Sequence, residues 1–325
     1  MSEQQPRIVF LDAATYGDMS LELFTDRWNC AVHQATIPAE TIARIAGHTV
    51  VVTNKVAFDK KVLHAAEASE LKLIAVAATG TDIIDKAAAT QRGIKVSNVP
   101  GYATQSVAQF TMALILELAT RAAKYGNSVR AGEWQKSSVF SLLTYPSVEL
   151  AGKKLGIIGY GNIGQTVAQM ARGFGLEILI AARPGFPGPI PKDRLPIGDL
   201  LQQADIVSLH CPLTPATKTL INEQTLSLMK PTALVINTTR GALIDEAALI
   251  EALRNKKISA AALDVISKEP PPADHPVILA AAELENLLVT PHTAWSAREA
   301  RQRLLAQVKE NIEAFLRGEP QNLVA

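Results

Sequence analysis

The 325-residue sequence predicts an α/β protein made of two doubly wound parallel sheets with a cleft between them. Three observations carry that prediction. Short apolar runs that end in turn or polar residues alternate with alanine-rich helical stretches, the pattern of parallel strands covered on both faces. The pattern runs once through the first hundred residues, pauses over one long helical stretch, and restarts near Lys154. At the restart stands a glycine fingerprint, Gly159-Tyr160-Gly161-Asn162-Ile163-Gly164.

In chain order, the first strands are expected at Ile8–Leu11, Val50–Val52, Leu73–Ala77 and Ile94–Val96, each too short and too apolar for an exposed helix. Tyr102 to Gly126 then reads as one long helical stretch. The second set of strands is expected at Leu155–Ile158, Ile178–Ala181, Ile206–Leu209, Leu234–Asn237, Ala260–Asp264 and Leu287–Thr290. Pro184 to Pro196 is rich in proline and glycine and reads as a surface loop. The last helix, roughly Ala297 to Arg317, repeats Leu304, Leu305, Val308, Ile312 and Phe315 at helical spacing and therefore needs a surface to cover. It is expected to cross back onto the first unit and make that unit discontinuous.

Composition narrows the function. With 48% hydrophobic residues and 32 basic against 31 acidic side chains, the chain has the core of a globular protein and no broad field for phosphate backbones or anionic lipid. A small-molecule ligand is expected, with no nucleic acid and no membrane. The most apolar helical run, Phe110 to Ala119, is too short for a bilayer and contains Glu117. Cys30 and Cys211 lie far apart, so neither a disulfide framework nor a thiolate metal site is indicated, and no metal is expected. The start, Met-Ser-Glu-Gln-Gln-Pro-Arg, has no secretory pattern, which makes cytoplasmic the expected location.

The fingerprint follows Lys-Leu-Gly-Ile-Ile and precedes an amphipathic segment, Gln165 to Phe174, then another strand; this is the context of a Rossmann-like dinucleotide site. Gly159 permits the tight turn, Gly161 lets backbone approach a pyrophosphate, and Gly164 allows close helix–sheet packing, with Asn162 and Ile163 at the helix start. The acidic residue expected about twenty residues on, which would hold the ribose of NAD, is absent; Ala181-Ala182-Arg183 stands there. Without a carboxylate to repel a 2′-phosphate, and with Arg183 to pair with it, NADP(H) is favoured; NAD(H) is the alternative if Arg183 is only a solvated loop residue.

Downstream lie Arg240 in Ile-Asn-Thr-Thr-Arg-Gly, Glu269 in Asp-Val-Ile-Ser-Lys-Glu-Pro and His292 in Val-Thr-Pro-His-Thr-Ala-Trp. An arginine offers a planar cationic fork for a carboxylate. A histidine gives a proton to a carbonyl oxygen as hydride reaches the carbon, and a glutamate orients the ring and favours imidazolium. Singly, these are a surface ion-pair residue, a solvated carboxylate and a turn cap. Jointly, behind a dinucleotide loop, they describe an oxoacid reductase site. His33, His48, His64 and His275 have no such pattern and read as structural or solvated.

These residues carry a resemblance. With Thr53-Asn54-Lys55, Ala78-Thr79-Gly80-Thr81-Asp82, Asn98-Val99-Pro100-Gly101-Tyr102, Glu149-Leu150-Ala151-Gly152-Lys153 and His210-Cys211-Pro212-Leu213-Thr214, the chain resembles the D-isomer-specific 2-hydroxyacid dehydrogenases over nearly its whole length, close to the glycerate dehydrogenase/hydroxypyruvate reductase branch. The resemblance implies a substrate-binding (catalytic) domain of 1–99 plus 292–325 and a dinucleotide-binding domain of 100–291. It also implies a homodimer built partly on the helix beginning near Tyr102, which could equally be a buried interdomain helix. It places Arg240, Glu269 and His292 in catalysis. It puts cofactor contacts at Thr104, at His210, Cys211 and Pro212 beside adenine, at Thr238 and Thr239 near the nicotinamide ribose, and at Asp264 on the carboxamide; Asp264 also reads as a cap for the next turn. Substrate contacts are implied at the N–H groups of Thr79 and Gly80, at Asn54 and Lys55, and at Trp295, which alternatively is a core aromatic. The Asn54-Lys55 pair, residues 138–143 and Trp295 look like the hydroxypyruvate-reducing members. The expected reaction is reduction of hydroxypyruvate or glyoxylate to D-glycerate or glycolate. A dehydrogenase for phosphite or a larger 2-ketoacid, and a nucleotide-sensing binding protein on the same fold, are the alternatives.

Overall fold

The computed structural model describes residues 6–186 and 188–325; position 187, within the expected Pro184–Pro196 loop, lies outside the described residues. Two compact units result. One takes the chain up to Ala103 and again Ser296–Ala325, the other is Thr104–Trp295.

The first unit holds one parallel sheet: β1 (Arg7–Phe10), β2 (Asn29–Val32), β3 (Val50–Thr53), β4 (Leu73–Val76) and β5 (Lys95–Ser97), in the order β2-β1-β3-β4-β5. β2 is a strand that hydrophobic pattern does not announce. Its sequence Asn-Cys-Ala-Val is an edge strand with no fully buried residue, so it needs no apolar run. The helix Arg298–Leu316 belongs to this unit and packs against β4, burying Leu304, Leu305, Val308 and Ile312. Beyond it, the Val96 N–H donates to the Ala325 carbonyl (2.9 Å) and the Val324 N–H to the Val96 carbonyl (2.8 Å), so the chain end lies along the β5 edge.

The second unit holds six parallel strands: β6 (Lys154–Ile158), β7 (Glu177–Ile180), β8 (Ile206–Leu209), β9 (Leu234–Asn237), β10 (Ala260–Leu263) and β11 (Leu287–Val289), in the order β11-β10-β9-β8-β6-β7. The strict alternation of a strand divides its side chains between two cores. Leu155, Ile157, Ile206, Leu234, Ile236, Ala260 and Ala262 meet the helices Thr104–Thr120 and Asn162–Gly173. Ile158, Val207, Leu209, Val235, Ala261 and Leu263 meet the helices Ile197–Gln203, Glu246–Arg254 and Pro276–Glu283 on the opposite face. Burial on both faces explains why these strands read as continuous apolar runs.

The stretch expected as one helix from Tyr102 to Gly126 is two, Thr104–Thr120 and Ala122–Arg130. Arg121 sits between them with φ 57°, left-handed backbone that ends the first helix and redirects the second. Pattern alone could not place this break, because residues on both sides are good helix formers. Among the described residues, no helix is long and apolar enough to cross a membrane.

Candidate active site

A parallel sheet points every strand end the same way, and in the second unit that edge gathers the residues singled out above. His292 follows β11, Asp264 and Glu269 follow β10, Arg240 follows β9, His210 follows β8, the glycine loop follows β6 and Arg183 follows β7. Along the sheet the three candidate catalytic groups therefore lie on adjacent loops at one side, and the fingerprint and Arg183 at the other. β6 lies between β7 and β8, so the strand order reverses at the glycine loop, where doubly wound sheets open a crevice.

The fingerprint has the shape a dinucleotide requires. Gly159 has φ +100°, and a Cβ there would lie 2.4 Å from the His210 carbonyl carbon and the Cys211 nitrogen. At Gly164 a Cβ would lie 2.2 Å from the Gly159 carbonyl oxygen, so the helix sits too close to the turn for any side chain. Gly161 is different: nothing lies within 4 Å of its Cβ direction, and as N-cap of the helix Asn162–Gly173 it offers no capping side chain. Open space over uncapped N–H groups suits a pyrophosphate.

His210 lies against that turn. Its Nε2 pairs with the Ser208 hydroxyl at 2.8 Å, and its Nδ1 is shut off from solvent without a partner among the described residues. Burial pushes its pKa down to about 4, so the ring is neutral. Burial likewise pushes the Cys211 and Cys30 thiols up to about 11; both are unbonded, which leaves Cys211 a packing residue. Pro212 gives its carbonyl to the Thr217 hydroxyl at 2.7 Å, closing the turn beyond.

At the end of β7, Ala181 is buried and pairs with Leu195, while Arg183 is exposed. The pairing returns the chain after the long loop and brings Arg194 to the same place, its guanidinium 5.2 Å from the Tyr160 ring centroid. Arg194 was not read from the sequence, since it stands thirteen positions beyond Ala181.

The candidate acid/base pair is in direct contact. His292 Nδ1 meets Glu269 Oε2 at 2.5 Å, and Glu269 Oε1 accepts the Ile266 N–H at 2.9 Å. The two side chains are 27% and 31% exposed, so the pair is sheltered and still reachable. His292 has φ 53°, left-handed for a non-glycine residue, a conformation costing of order 1–3 kcal/mol that the surroundings must hold. Asp264 does so. Its Oδ1 accepts the Thr290 hydroxyl (2.6 Å) and the Thr293 N–H (2.9 Å), its Oδ2 accepts the Ala294 N–H (2.8 Å), and its carbonyl accepts the His292 N–H (2.8 Å). Most of the acceptor capacity of Asp264 goes to the segment after the neighbouring strand, which leaves about one lone-pair site for the expected cofactor contact. Trp295 donates its indole N–H to the His292 carbonyl at 3.0 Å, bracing the same loop from the other side.

Arg240 is placed by a small network at the end of β9. Asn237 Nδ2 donates to the Arg240 carbonyl (2.8 Å), Asn237 Oδ1 accepts the Thr239 N–H (3.0 Å), and the Thr239 hydroxyl reaches back to the Leu209 carbonyl (2.7 Å). The hydroxyl of Thr238 pairs with that of Thr111 at 3.1 Å, tying this strand end to the helix Thr104–Thr120, which Thr104 opens. A Cβ on Gly241 would lie 2.0 Å from the Ile266 carbonyl carbon, so the arginine loop is pressed onto the turn that carries Glu269.

In the first unit, Asn54 and Lys55 follow β3, and Thr79 and Gly80 follow β4, again on one sheet edge. Asp12, buried after β1, accepts the N–H groups of Asn54 (3.0 Å) and Lys55 (2.6 Å) and the Thr53 hydroxyl (3.1 Å). Burial raises its pKa against those hydrogen bonds, which lower it. Thr79 bonds the Val99 carbonyl at 2.8 Å, and its own carbonyl accepts from Asn98 at 2.7 Å. Asp12 also escaped sequence reading, because one Asp after a strand looks like any turn residue. Among the described residues, no group of three His, Cys, Asp or Glu side chains is placed to hold a metal ion.

Residues 112–294 match the family model described as "D-isomer specific 2-hydroxyacid dehydrogenase, NAD binding domain". The chain is 41% identical over 320 residues to a glycerate dehydrogenase of Methylorubrum extorquens, covering 98% of each. It is 35% identical over 327 residues to a hydroxypyruvate reductase of Blautia hydrogenotrophica, covering 98% of this chain and 99% of that one. Its fold superposes with TM-score 0.84 on a solved acyclic imino acid reductase in complex with NADPH and D-Arg, at 30% identity, covering 98% of this chain and 100% of that one.

Proposed function

The chain belongs to the D-isomer-specific 2-hydroxyacid dehydrogenases, and on that premise we propose that it reduces hydroxypyruvate, and glyoxylate as a shorter substrate, to D-glycerate and glycolate with NADPH. The observation that carries the chemistry is the His292–Glu269 contact at 2.5 Å on the loop edge shared with Arg240 and the glycine fingerprint. The names of the relatives in M. extorquens and B. hydrogenotrophica support the choice of substrate.

The glycine turn at Gly159–Gly164, with Thr104, Asn162 and Ile163, is the cradle for the dinucleotide phosphates; His210, Cys211 and Pro212 wall the adenine side, and Thr238, Thr239 and Asp264 shape the nicotinamide end. The bound nicotinamide supplies a hydride. Arg240 binds the substrate carboxylate and draws electron density from the neighbouring carbonyl. In the first unit, Thr79 and Gly80 offer backbone N–H groups suited to a carboxylate, with Asn54 and Lys55 on the same sheet edge; in the second, Trp295 is the proposed substrate-side aromatic. His292 uses Nδ1 for Glu269, so Nε2 is the atom that gives its proton to the carbonyl oxygen. Glu269 keeps the ring oriented and stabilises the imidazolium from which that proton leaves. Hydroxyacid oxidation runs the same groups backwards.

NADPH is preferred in this proposal because no carboxylate follows β7 and Arg183 stands exposed at its end. The NADPH in the related imino acid reductase supports it. A homodimer is proposed as well: Val139, Phe140 and Leu143 are 60%, 91% and 85% exposed in one short segment, an apolar patch that suits burial against a second copy. Two unpaired thiols suit a reducing compartment, the cytoplasm.

The test is the initial rate of NADPH and NADH oxidation with hydroxypyruvate, glyoxylate, pyruvate and 2-ketogluconate. Fast NADPH-linked hydroxypyruvate reduction is expected. A clear NADH preference would remove the role given to Arg183, and dinucleotide binding without turnover on any substrate would replace the reductase by a nucleotide sensor.

A further inference from the structure

We infer that Glu246 is a positioning residue for the proton-transferring pair: its carboxylate clamps the turn Ile266–Glu269 so that Glu269 is held where it meets His292. The inference rests on the proposed acid/base role of His292 and Glu269.

Glu246 is the first residue of the helix Glu246–Arg254, which Asp245 caps by accepting the Ala248 N–H at 3.1 Å. Because Asp245 caps, the Glu246 carboxylate is free of that task. It turns to Ser267: Oε1 accepts the Ser267 N–H at 2.6 Å, and Oε2 accepts the Ser267 hydroxyl at 2.7 Å. His275 stands behind them, 6% exposed in its side chain. Its Nδ1 accepts the Val277 N–H at 3.3 Å, so in the neutral ring the proton is on Nε2, which lies 3.4 Å from the Ser267 hydroxyl. The directions agree along the chain: His275 donates to Ser267, and Ser267 donates twice to Glu246.

This matters for Glu269 because of which peptide groups are held. The N–H of Ile266 binds Glu269, and the next N–H, of Ser267, binds Glu246. Two carboxylates thus take two successive N–H groups of one turn, and fixing the second fixes the direction of the first. The same stretch of chain grips that turn at its other end, where Gly241 leaves no room for a Cβ against Ile266 and Ser267. Arg240 to Glu246 is therefore one brace, with the proposed substrate-binding arginine at its start and the clamp at its end.

The experiment uses the full chain and compares Glu246→Ala, Glu246→Gln, Ser267→Ala, the double variant Glu246→Ala/Ser267→Ala, and Glu269→Gln. kcat and KM are measured with hydroxypyruvate and NADPH, alongside NADPH Kd by fluorescence and melting temperature. Glu246→Ala is expected to lower kcat by about 10- to 100-fold, the range for partners that orient a reacting ligand, with KM and NADPH Kd within about twofold. Glu246→Gln, which keeps one acceptor, is expected to fall between it and the parent. Ser267→Ala should add almost nothing on top of Glu246→Ala, because both act through one contact. A helix-terminal carboxylate that only stabilises the helix would lower the melting temperature and leave kcat alone; that result overturns the inference. If Glu246→Ala does not fold, parental kcat in both Glu246→Gln and Ser267→Ala overturns it. Loss of kcat in Glu269→Gln without loss in the Glu246 variants removes only the clamp, whereas parental kcat in Glu269→Gln removes the acid/base reading itself.

Discussion

The two sheet edges use one device for two purposes. In the first unit, Asp12 leaves the end of β1 and accepts the Asn54 and Lys55 N–H groups on the loop after β3, its neighbour in the sheet. In the second, Asp264 leaves the end of β10 and accepts the Thr293 and Ala294 N–H groups on the loop after β11, again its neighbour. Each is almost fully buried, and each fixes a loop that the strand alone would leave free. The loops differ in what they carry. The loop held by Asp12 presents backbone, an asparagine and a lysine, groups that the proposed function assigns to substrate binding. The loop held by Asp264 presents an imidazole already paired with a carboxylate, the group proposed to move a proton. Identical anchoring should therefore show up in different kinetic constants, KM for the first edge and kcat for the second.

The largest effect should come from removing the proposed proton donor. His292→Ala is expected to lower kcat by about 10²- to 10⁴-fold, the usual share of general acid catalysis, with NADPH Kd unchanged. A parental rate would dissolve the distinction between the two edges. Next comes Asp264→Asn, which keeps the shape but turns an amide donor toward N–H groups. Leaving such a buried pair unmatched costs about 1–3 kcal/mol, and the loss should fall on kcat. Asp12→Asn faces the same clash and should instead raise KM for hydroxypyruvate while kcat holds. If both variants moved the same constant, the comparison would fail. The smallest effect is expected for Arg183→Ala, a single exposed charge-assisted contact: KM for NADPH should rise by roughly tenfold and KM for NADH stay level, read from steady-state rates at fixed hydroxypyruvate.

The sequence announced what depends on local pattern. The buried central strands stood out because both of their faces are covered, and the glycine loop stood out because Gly159 and Gly164 each meet backbone where a Cβ would go. β2 did not, since an exposed edge strand carries no apolar signature, and neither did the break at Arg121, where one residue adopts left-handed backbone between two helix-forming stretches. At the site, the resemblance named His292 and Glu269, yet their separation of 2.5 Å depends on Asp264 and on the turn at Ile266. Asp12, Arg194 and Glu246 stayed silent for a common reason: each acts on residues 13 to 43 positions away, across a strand crossover or a long loop.

The two cysteines have a practical corollary. With both thiols held near pKa 11, roughly one in ten thousand is a thiolate at neutral pH, and thiolate is the form that alkylating dyes attack. Maleimide labelling of both native thiols at neutral pH is therefore expected to be slow, slower at buried Cys211 than at half-buried Cys30, and a labelling time course reads it.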